Sequence, residues 1–92
     1  MDLDRLESFL MLVEELHFGR AARRLHMSQS GFSRQIGLLE RSLGVRLAIR
    51  TRRQVQLTDA GVVFAAKAAR LLSEMGYVKA AVVAMRTLPI DS

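Results

Sequence analysis

Ser28-Gln29-Ser30-Gly31-Phe32-Ser33-Arg34-Gln35-Ile36-Gly37-Leu38-Leu39-Glu40-Arg41-Ser42-Leu43 reads as one helix with two unlike faces. At about 100° per residue, Phe32, Ile36, Leu39 and Leu43 fall on a single apolar stripe. Ser28 is placed to cap the first turn, where backbone N–H groups lack partners. The opposite side carries Ser30, Ser33, Arg34, Gly37 and Arg41, and the helix's one acid, Glu40, sits at the edge of that face. An ordinary amphipathic surface helix mixes its charges there. A short-chained cationic face suits a nucleic-acid groove instead, because the backbone can come close and donors can reach base edges and phosphates. The glycines point the same way. Each costs roughly 1 kcal/mol against alanine inside a helix. Close approach at Gly37 offsets that cost, and Gly31 lies near the start, where the penalty is smaller.

Upstream, Phe18-Gly19-Arg20-Ala21-Ala22-Arg23-Arg24-Leu25 reads as a short helix, and His26-Met27 as a tight connection. Two short helices joined in this way form a helix-turn-helix, here over about residues 18–37, with the second helix as the recognition helix. Ala21 and Ala22 are small, as closely crossing helices require.

Ala21-Ala22, Leu25, Ser28-Gln29, Ser33-Arg34-Gln35-Ile36, Leu39-Glu40, Leu43-Gly44-Val45, Leu47, Arg50 and Leu57-Thr58-Asp59-Ala60-Gly61 together resemble the N-terminal domain of LysR-type bacterial transcriptional regulators. The likeness runs without gaps from about Met1 to Gly61 and continues loosely through the next helix. Ser30-Gly31-Phe32 departs from the usual proline or serine followed by small and aliphatic residues. Ala48 stands where an aromatic is usual, which predicts a weaker anchor between wing and core. The resemblance implies sequence-specific binding of double-stranded DNA as a dimer on a dyad-symmetric operator, with linker helices paired antiparallel. It also implies a larger effector-binding domain after the linker helix. That domain is missing from these 92 residues, so the expectation is a DNA-binding fragment or a truncated product. A small-molecule effector would act only through the missing domain, the full-length protein could form a tetramer, and the location would be the bacterial cytoplasm.

Composition bounds the alternatives. Ninety-two residues make one small domain, or one domain and an appendage. A chain this short buries a modest fraction of its surface, so oligomerisation would help it. Half the residues are hydrophobic, which excludes disorder, yet no apolar run reaches the length of a membrane span. The acidic start, Met1-Asp2-Leu3-Asp4, lacks the pattern of a signal peptide. With no cysteine there are no disulfides or thiolate zinc sites, which fits a cytosolic protein. The net charge of +5 is unevenly spread. Residues 1–19 hold five acids against Arg5, whereas residues 20–53 hold nine arginines against Glu40. Basic surface concentrated on the helix-turn-helix is the electrostatic footprint of nucleic-acid binding. Arginine outnumbers lysine 12 to 2, which suits bidentate contacts but also follows from a GC-rich genome.

The remaining segments complete the expected fold, which is all-α with a small β-hairpin: a winged helix-turn-helix over residues 1–58, then a linker or dimerisation helix over 59–88. Leu3, Leu6, Phe9, Leu10, Val13 and Leu16 keep helical spacing, so a first helix is predicted over 3–16, capped by Asp2. Met11 and Leu12 widen its apolar surface, with Leu12 a candidate partner contact. His17 and His26 read as solvated turn residues rather than metal ligands, His26 with a phosphate in reach. Gly44 can end the recognition helix with a positive φ. Leu47-Ala48-Ile49-Arg50 and Gln54-Val55-Gln56-Leu57 predict a wing over about 47–57 with Arg52 and Arg53 at its tip. Thr58 caps the last helix, and Pro89 marks its end. Thirty residues of helix from Asp59 to Leu88 run roughly 45 Å, too long for so small a core to cover. Phe64, Ala68, Leu71, Met75, Val78, Val82 and Met85 follow alternating steps of four and three, a heptad seam for a homodimer.

No Gly-rich phosphate loop, metal-ligand cluster or nucleophile with an adjacent base is present, so neither an enzyme nor a cofactor is expected. Gln29, Ser30, Ser33 and Arg34 are the predicted base readers; Ser28, Arg20, Arg41, Arg50, Arg52 and Arg53 are the predicted backbone and wing contacts. The competing reading is a nonspecific architectural nucleic-acid binder, which needs the charge but not the base-reading side chains. A membrane- or partner-binding module on the last helix is disfavoured. Lys67, Arg70, Lys79 and Arg86 are too few cations on that helix for an anionic lipid surface.

Overall fold

Phe9, Leu12, Phe32, Leu39 and Leu47 are the largest fully buried side chains, and they fix how the elements meet. The computed structural model describes residues 3–51 and 54–87. Its elements are α1 (Leu3–Glu15), α2 (Phe18–Arg24), α3 (Gln29–Leu43), β1 (Ala48–Arg50), β2 (Val55–Leu57) and α4 (Asp59–Thr87). Phe9 and Leu12 of α1, Ala21 and Ala22 of α2, and Phe32, Ile36 and Leu39 of α3 form one core with Leu47, Ala48 and Val55 from the wing. The two alanines lose all or nearly all exposure, so α2 can lie close against its neighbours. The strands pair antiparallel with Ala48 opposite Leu57, Ile49 opposite Gln56 and Arg50 opposite Val55. The expected winged helix-turn-helix with a long last helix is the observed fold.

The local signals account for most boundaries. Gly44 sits at φ 70° and closes α3 by donating its N–H to the Glu40 carbonyl at 2.8 Å. Thr58 caps α4 by accepting from the Gly61 N–H at 3.0 Å. Two readings of α1 are corrected. Leu16 does not extend the helix: it adopts φ 50° and is 44 % exposed, because the chain reverses there to enter α2. Leu12 offers no partner contact, since it is completely buried between α1 and the rest of the core. Asp2, Leu88 and Pro89, which the sequence assigned to the ends of the first and last helices, lie outside the described residues.

α4 has two parts with different environments. Its beginning packs on α1, where the Phe64 ring meets Phe9 edge-on at 5.6 Å between centroids and Ala68 is 3 % exposed. Beyond residue 72 every described side chain of α4 is exposed, and the molecule extends to 62 × 26 × 20 Å. Gly61, in the first turn of α4, lies directly on the wing. A Cβ there would stand 2.0 Å from the Leu47 carbonyl oxygen, which is backbone and cannot swing away. Gly61→Ala is therefore expected to destabilise the domain by at least about 2 kcal/mol, because overpacking here moves α4 or the wing. Thermal unfolding of the variant checks this, and an unchanged midpoint would refute the close approach.

Candidate nucleic-acid interface

The helix α3, expected to be the recognition helix, is fixed at both ends by its own sequence. Ser28, in extended conformation, accepts from the Gly31 N–H at 3.0 Å. Gly31 keeps that cap tight, for a Cβ there would sit 2.9 Å from the Ser28 hydroxyl. The turn before α3 is closed by the Met27 N–H donating to the Ala22 carbonyl at 2.9 Å, with His26 at φ 57°. α2 has a cap that the sequence reading missed. The His17 Nδ1 accepts from the Arg20 N–H at 3.0 Å, so this residue shapes the helix-turn-helix rather than merely filling a solvated turn. Serine, threonine, aspartate or asparagine is the usual signal for a cap, and histidine is easily passed over. Phe18 packs edge-on against Phe32 at 5.8 Å and joins the two helices.

On α3, Gln29, Ser30, Arg34, Gly37 and Arg41 are exposed and Ser33 is half-buried, so the predicted base readers share one open face. Nothing lies within 4 Å of the position a Gly37 Cβ would take, so the glycine has no packing reason among the described residues. Gln35 faces inward and accepts a hydrogen bond from the buried Ser8 hydroxyl.

The arginines divide into held and open ones. Arg24 bridges Glu14 at 3.0 Å and Glu15 at 2.8 Å. Arg20, a predicted backbone contact, donates through Nε to the Glu15 carboxylate and through Nη2 to the Glu15 carbonyl, both at 3.2 Å. A phosphate contact from Arg20 would have to share its guanidinium with that residue. The hydrogen bond from Arg24, above all, holds the Glu15 carboxyl below its usual range; partial burial opposes this and Arg20 reinforces it. A lowered carboxyl contributes stability that is present above its usual value and is lost as the pH falls through the lowered one. Arg34 and Arg41 have no ion-pair partner among the described residues.

Glu40, which sequence reasoning left at the edge of the cationic face, is tied into the wing. Its carboxylate turns from α3 into the wing, accepting from the Leu47 N–H at 2.7 Å and the Ala48 N–H at 3.2 Å, with the Arg46 Nε at 3.5 Å. The helix's only acid is thereby withdrawn from the cationic face. Beside the small Ala48 side chain, which is 5 % exposed, the wing is held to α3 by this carboxylate on two backbone donors. Arg50 lies over the Phe18 ring, 4.9 Å from its centroid, and this cation–π contact ties the wing to α2. His17, Gly19, Arg50, Thr51 and Gln54 line a polar notch of about 140 Å³ between them. The hairpin end is closed by the Thr51 N–H donating to the Gln54 carbonyl at 2.9 Å. Arg52 and Arg53 lie outside the described residues.

The predicted dimer seam divides. Phe64 and Ala68 are packed against α1 within the chain, so they belong first to the core. Leu71, Met75, Val78, Val82 and Met85 are exposed along the distal half. Among the described residues no group of His, Cys, Asp or Glu could hold a metal ion, and no helix is long and apolar enough to cross a membrane.

Residues 3–62 match the profile of the bacterial regulatory helix-turn-helix proteins of the lysR family. The chain is 47% identical over 76 residues to the HTH-type transcriptional regulator AlsR of Bacillus subtilis (strain 168), covering 83% of this chain and 25% of AlsR. It therefore spans about a quarter of the length of the curated relatives it matches. Among solved structures it resembles the BenM DBD in complex with catB site 1 DNA, with a TM-score of 0.93 and 34% identity over 98% of this chain and 100% of that one. The CbnR DBD–DNA complex is similar at a TM-score of 0.88 and 36% identity, covering 94% and 99% of the two chains.

Removing the Glu40 carboxylate leaves two wing N–H groups without their acceptor, at about 1–3 kcal/mol for each one buried. Glu40→Ala is expected to lower stability by about 2–4 kcal/mol and to speed hydrogen exchange at Leu47 and Ala48. Glu40→Gln keeps an acceptor oxygen and is expected to recover most of the protection. Equal exchange rates in all three proteins would show that the carboxylate does not hold the wing.

Proposed function

The chain belongs to the lysR family of bacterial regulatory helix-turn-helix proteins, and from that premise we propose that it binds double-stranded DNA sequence-specifically, as a homodimer on a dyad-symmetric operator. It is the DNA-binding segment of a transcription regulator, not an enzyme, and works in the bacterial cytoplasm. The observation that carries this reading is the outer face of α3. Gln29, Ser30, Arg34, Gly37 and Arg41 are exposed there, and Glu40 is turned away into the wing. A nonspecific binder needs cations alone. This face also offers amide and hydroxyl groups at the N-terminal end of the helix, the end that reaches base edges in this motif.

In this reading Gln29 and Arg34 read bases, with Ser30 and Ser33 lining the same groove. Ser28, Arg41 and Arg50 contact the backbone, as do Arg52 and Arg53 at the tip of the wing. Arg20 contributes at the helix-turn-helix entrance while remaining tied to Glu15. Two recognition helices must sit on successive turns of one DNA face, roughly 34 Å apart or a multiple of that. α4 is the rigid spacer that sets this distance, and the bare apolar strip Leu71, Met75, Val78, Val82 and Met85 gives two chains a reason to pair.

Selection of bound DNA from a random pool tests specificity directly; recovery without any consensus would favour the architectural reading. Arg34→Ala is expected to cost about 1–3 kcal/mol at the selected site and less on random DNA. Gly37→Ala is expected to move two quantities in opposite directions. It stabilises the free domain by up to about 1 kcal/mol, because an exposed helical glycine is replaced, and it weakens DNA binding, because the added methyl meets the groove. Unfolding and titration of one variant check both signs. For the dimer, replacing Val78 and Val82 by Glu is expected to give folded monomers that bind a half-site weakly. Sedimentation of a mutant that stays dimeric would place the interface elsewhere.

A further inference from the structure

The first turns of α2 and α3 meet at a bare stretch of backbone. Gly19 is the second residue of α2, and Gln29 is the first residue of α3. A Cβ on Gly19 would stand 3.1 Å from the His17 Cε1, 3.4 Å from the His17 Nδ1 and 3.3 Å from the Gln29 Oε1. The imidazole and the carboxamide therefore converge on the space that the glycine leaves open. We infer that Gly19 is a specificity-determining position: with His17 it forms a cradle that sets the conformation from which Gln29 reads its base. The inference rests on the base-reading role proposed for Gln29 above and deepens it.

The cradle is held on both sides. The His17 ring is fixed because its Nδ1 accepts from the Arg20 N–H at 3.0 Å as the cap of α2. The distance between the two helix starts is fixed next door. Phe18, the neighbour of Gly19, lies edge-on to Phe32, one turn beyond Gln29, at 5.8 Å between centroids. Gln29 is exposed and long, so it is the movable member of the group. A glutamine has rotamer freedom to lose when it is ordered. One already laid against Gly19 and His17 has less to lose, and its amide reaches the groove from a set side. The donor and acceptor of a carboxamide discriminate base edges only when both are aimed.

The glycine has no other local reason. Its φ is not positive, so the backbone conformation does not require it. Alanine is the better helix former. A methyl here would meet two side chains at less than ordinary van der Waals separation, and one of them must yield. His17 yields only by giving up the cap of α2, whereas the end of Gln29 is free to turn. A Cβ at position 19 therefore redirects the Gln29 amide and leaves the helix-turn-helix in place.

Relative affinities for the selected half-site and its single-base variants test this in the parent chain, Gly19→Ala, Gln29→Ala and the double variant. The preference lost in Gln29→Ala identifies the base pair that Gln29 reads. Gly19→Ala is expected to lower the preference at that pair about fivefold or more, with other preferences and affinity for random DNA unchanged. In the Gln29→Ala background the same substitution is expected to change nothing, because no amide is left to aim. In the free chain, the side-chain amide resonances of Gln29 are expected to move in Gly19→Ala. A Gly19→Ala protein that keeps every preference, loses affinity equally on all DNA, leaves the Gln29 resonances in place, or shows the same effect without Gln29 overturns the cradle and leaves base reading by Gln29 standing. A parent chain that selects no consensus, or a Gln29→Ala variant that keeps the consensus in full, overturns both.

Discussion

Leu47 is the residue at which the recognition helix, the wing and the long helix are held in one arrangement. Its N–H donates to the Glu40 carboxylate at 2.7 Å, its carbonyl accepts from the Thr58 N–H at 3.0 Å, and its side chain is 1 % exposed. Gly61 presses on the same carbonyl from α4. Thr58 adds a second tie, since its hydroxyl donates to the Arg46 carbonyl at 2.6 Å while capping α4. A buried backbone segment with both polar groups satisfied has few other places to go. The wing strands are only three residues each, and such a hairpin is marginal by itself. Its position relative to α3 comes from this junction, and so does the direction in which α4 leaves the domain.

The charge pattern follows from the same economy of partners. The two acids at the end of α1 are turned onto α2, where Glu14 and Glu15 occupy Arg24 and Glu15 occupies Arg20. Glu40 is occupied by the wing and Arg46. What remains on the outer face of α3 is cationic and uncompensated within the described residues. Exposed ion pairs contribute little to stability, so these pairings matter more for the field they leave behind. Proton-dependent loss of the Glu15 contact would loosen the α1–α2 junction without touching α3.

α4 serves two structures at once. Its first turns complete a core too small to be generous, and the side chains of its remaining turns are exposed among the described residues. Exposed apolar strips of this length mark association surfaces on soluble proteins. In the proposed dimer, the change of environment along one uninterrupted helix would let a rigid element connect the position of one winged domain to that of the other.

The element order, the caps at Ser28, Gly44 and Thr58, and the buried stripe of α3 were legible because each rests on local chemistry: helical periodicity, a hydroxyl at an N-terminus, a glycine with positive φ. The exposed polar face of α3 was legible for the same reason, as a sequence of residue types around one helix. What needed the tertiary structure were the facts that depend on which neighbour a side chain meets. Periodicity placed Leu12 and Leu16 on or beside an apolar face, but only packing decided that Leu12 is core and Leu16 a left-handed turn residue. A heptad pattern cannot say which of its residues the chain itself covers, so Phe64 and Ala68 read the same as Val78 and Val82. No spacing rule pairs Glu40 with the amides of Leu47 and Ala48, or requires a glycine at 61. Those contacts join elements whose mutual distance is set by the whole core, and a one-dimensional pattern carries no information about that distance.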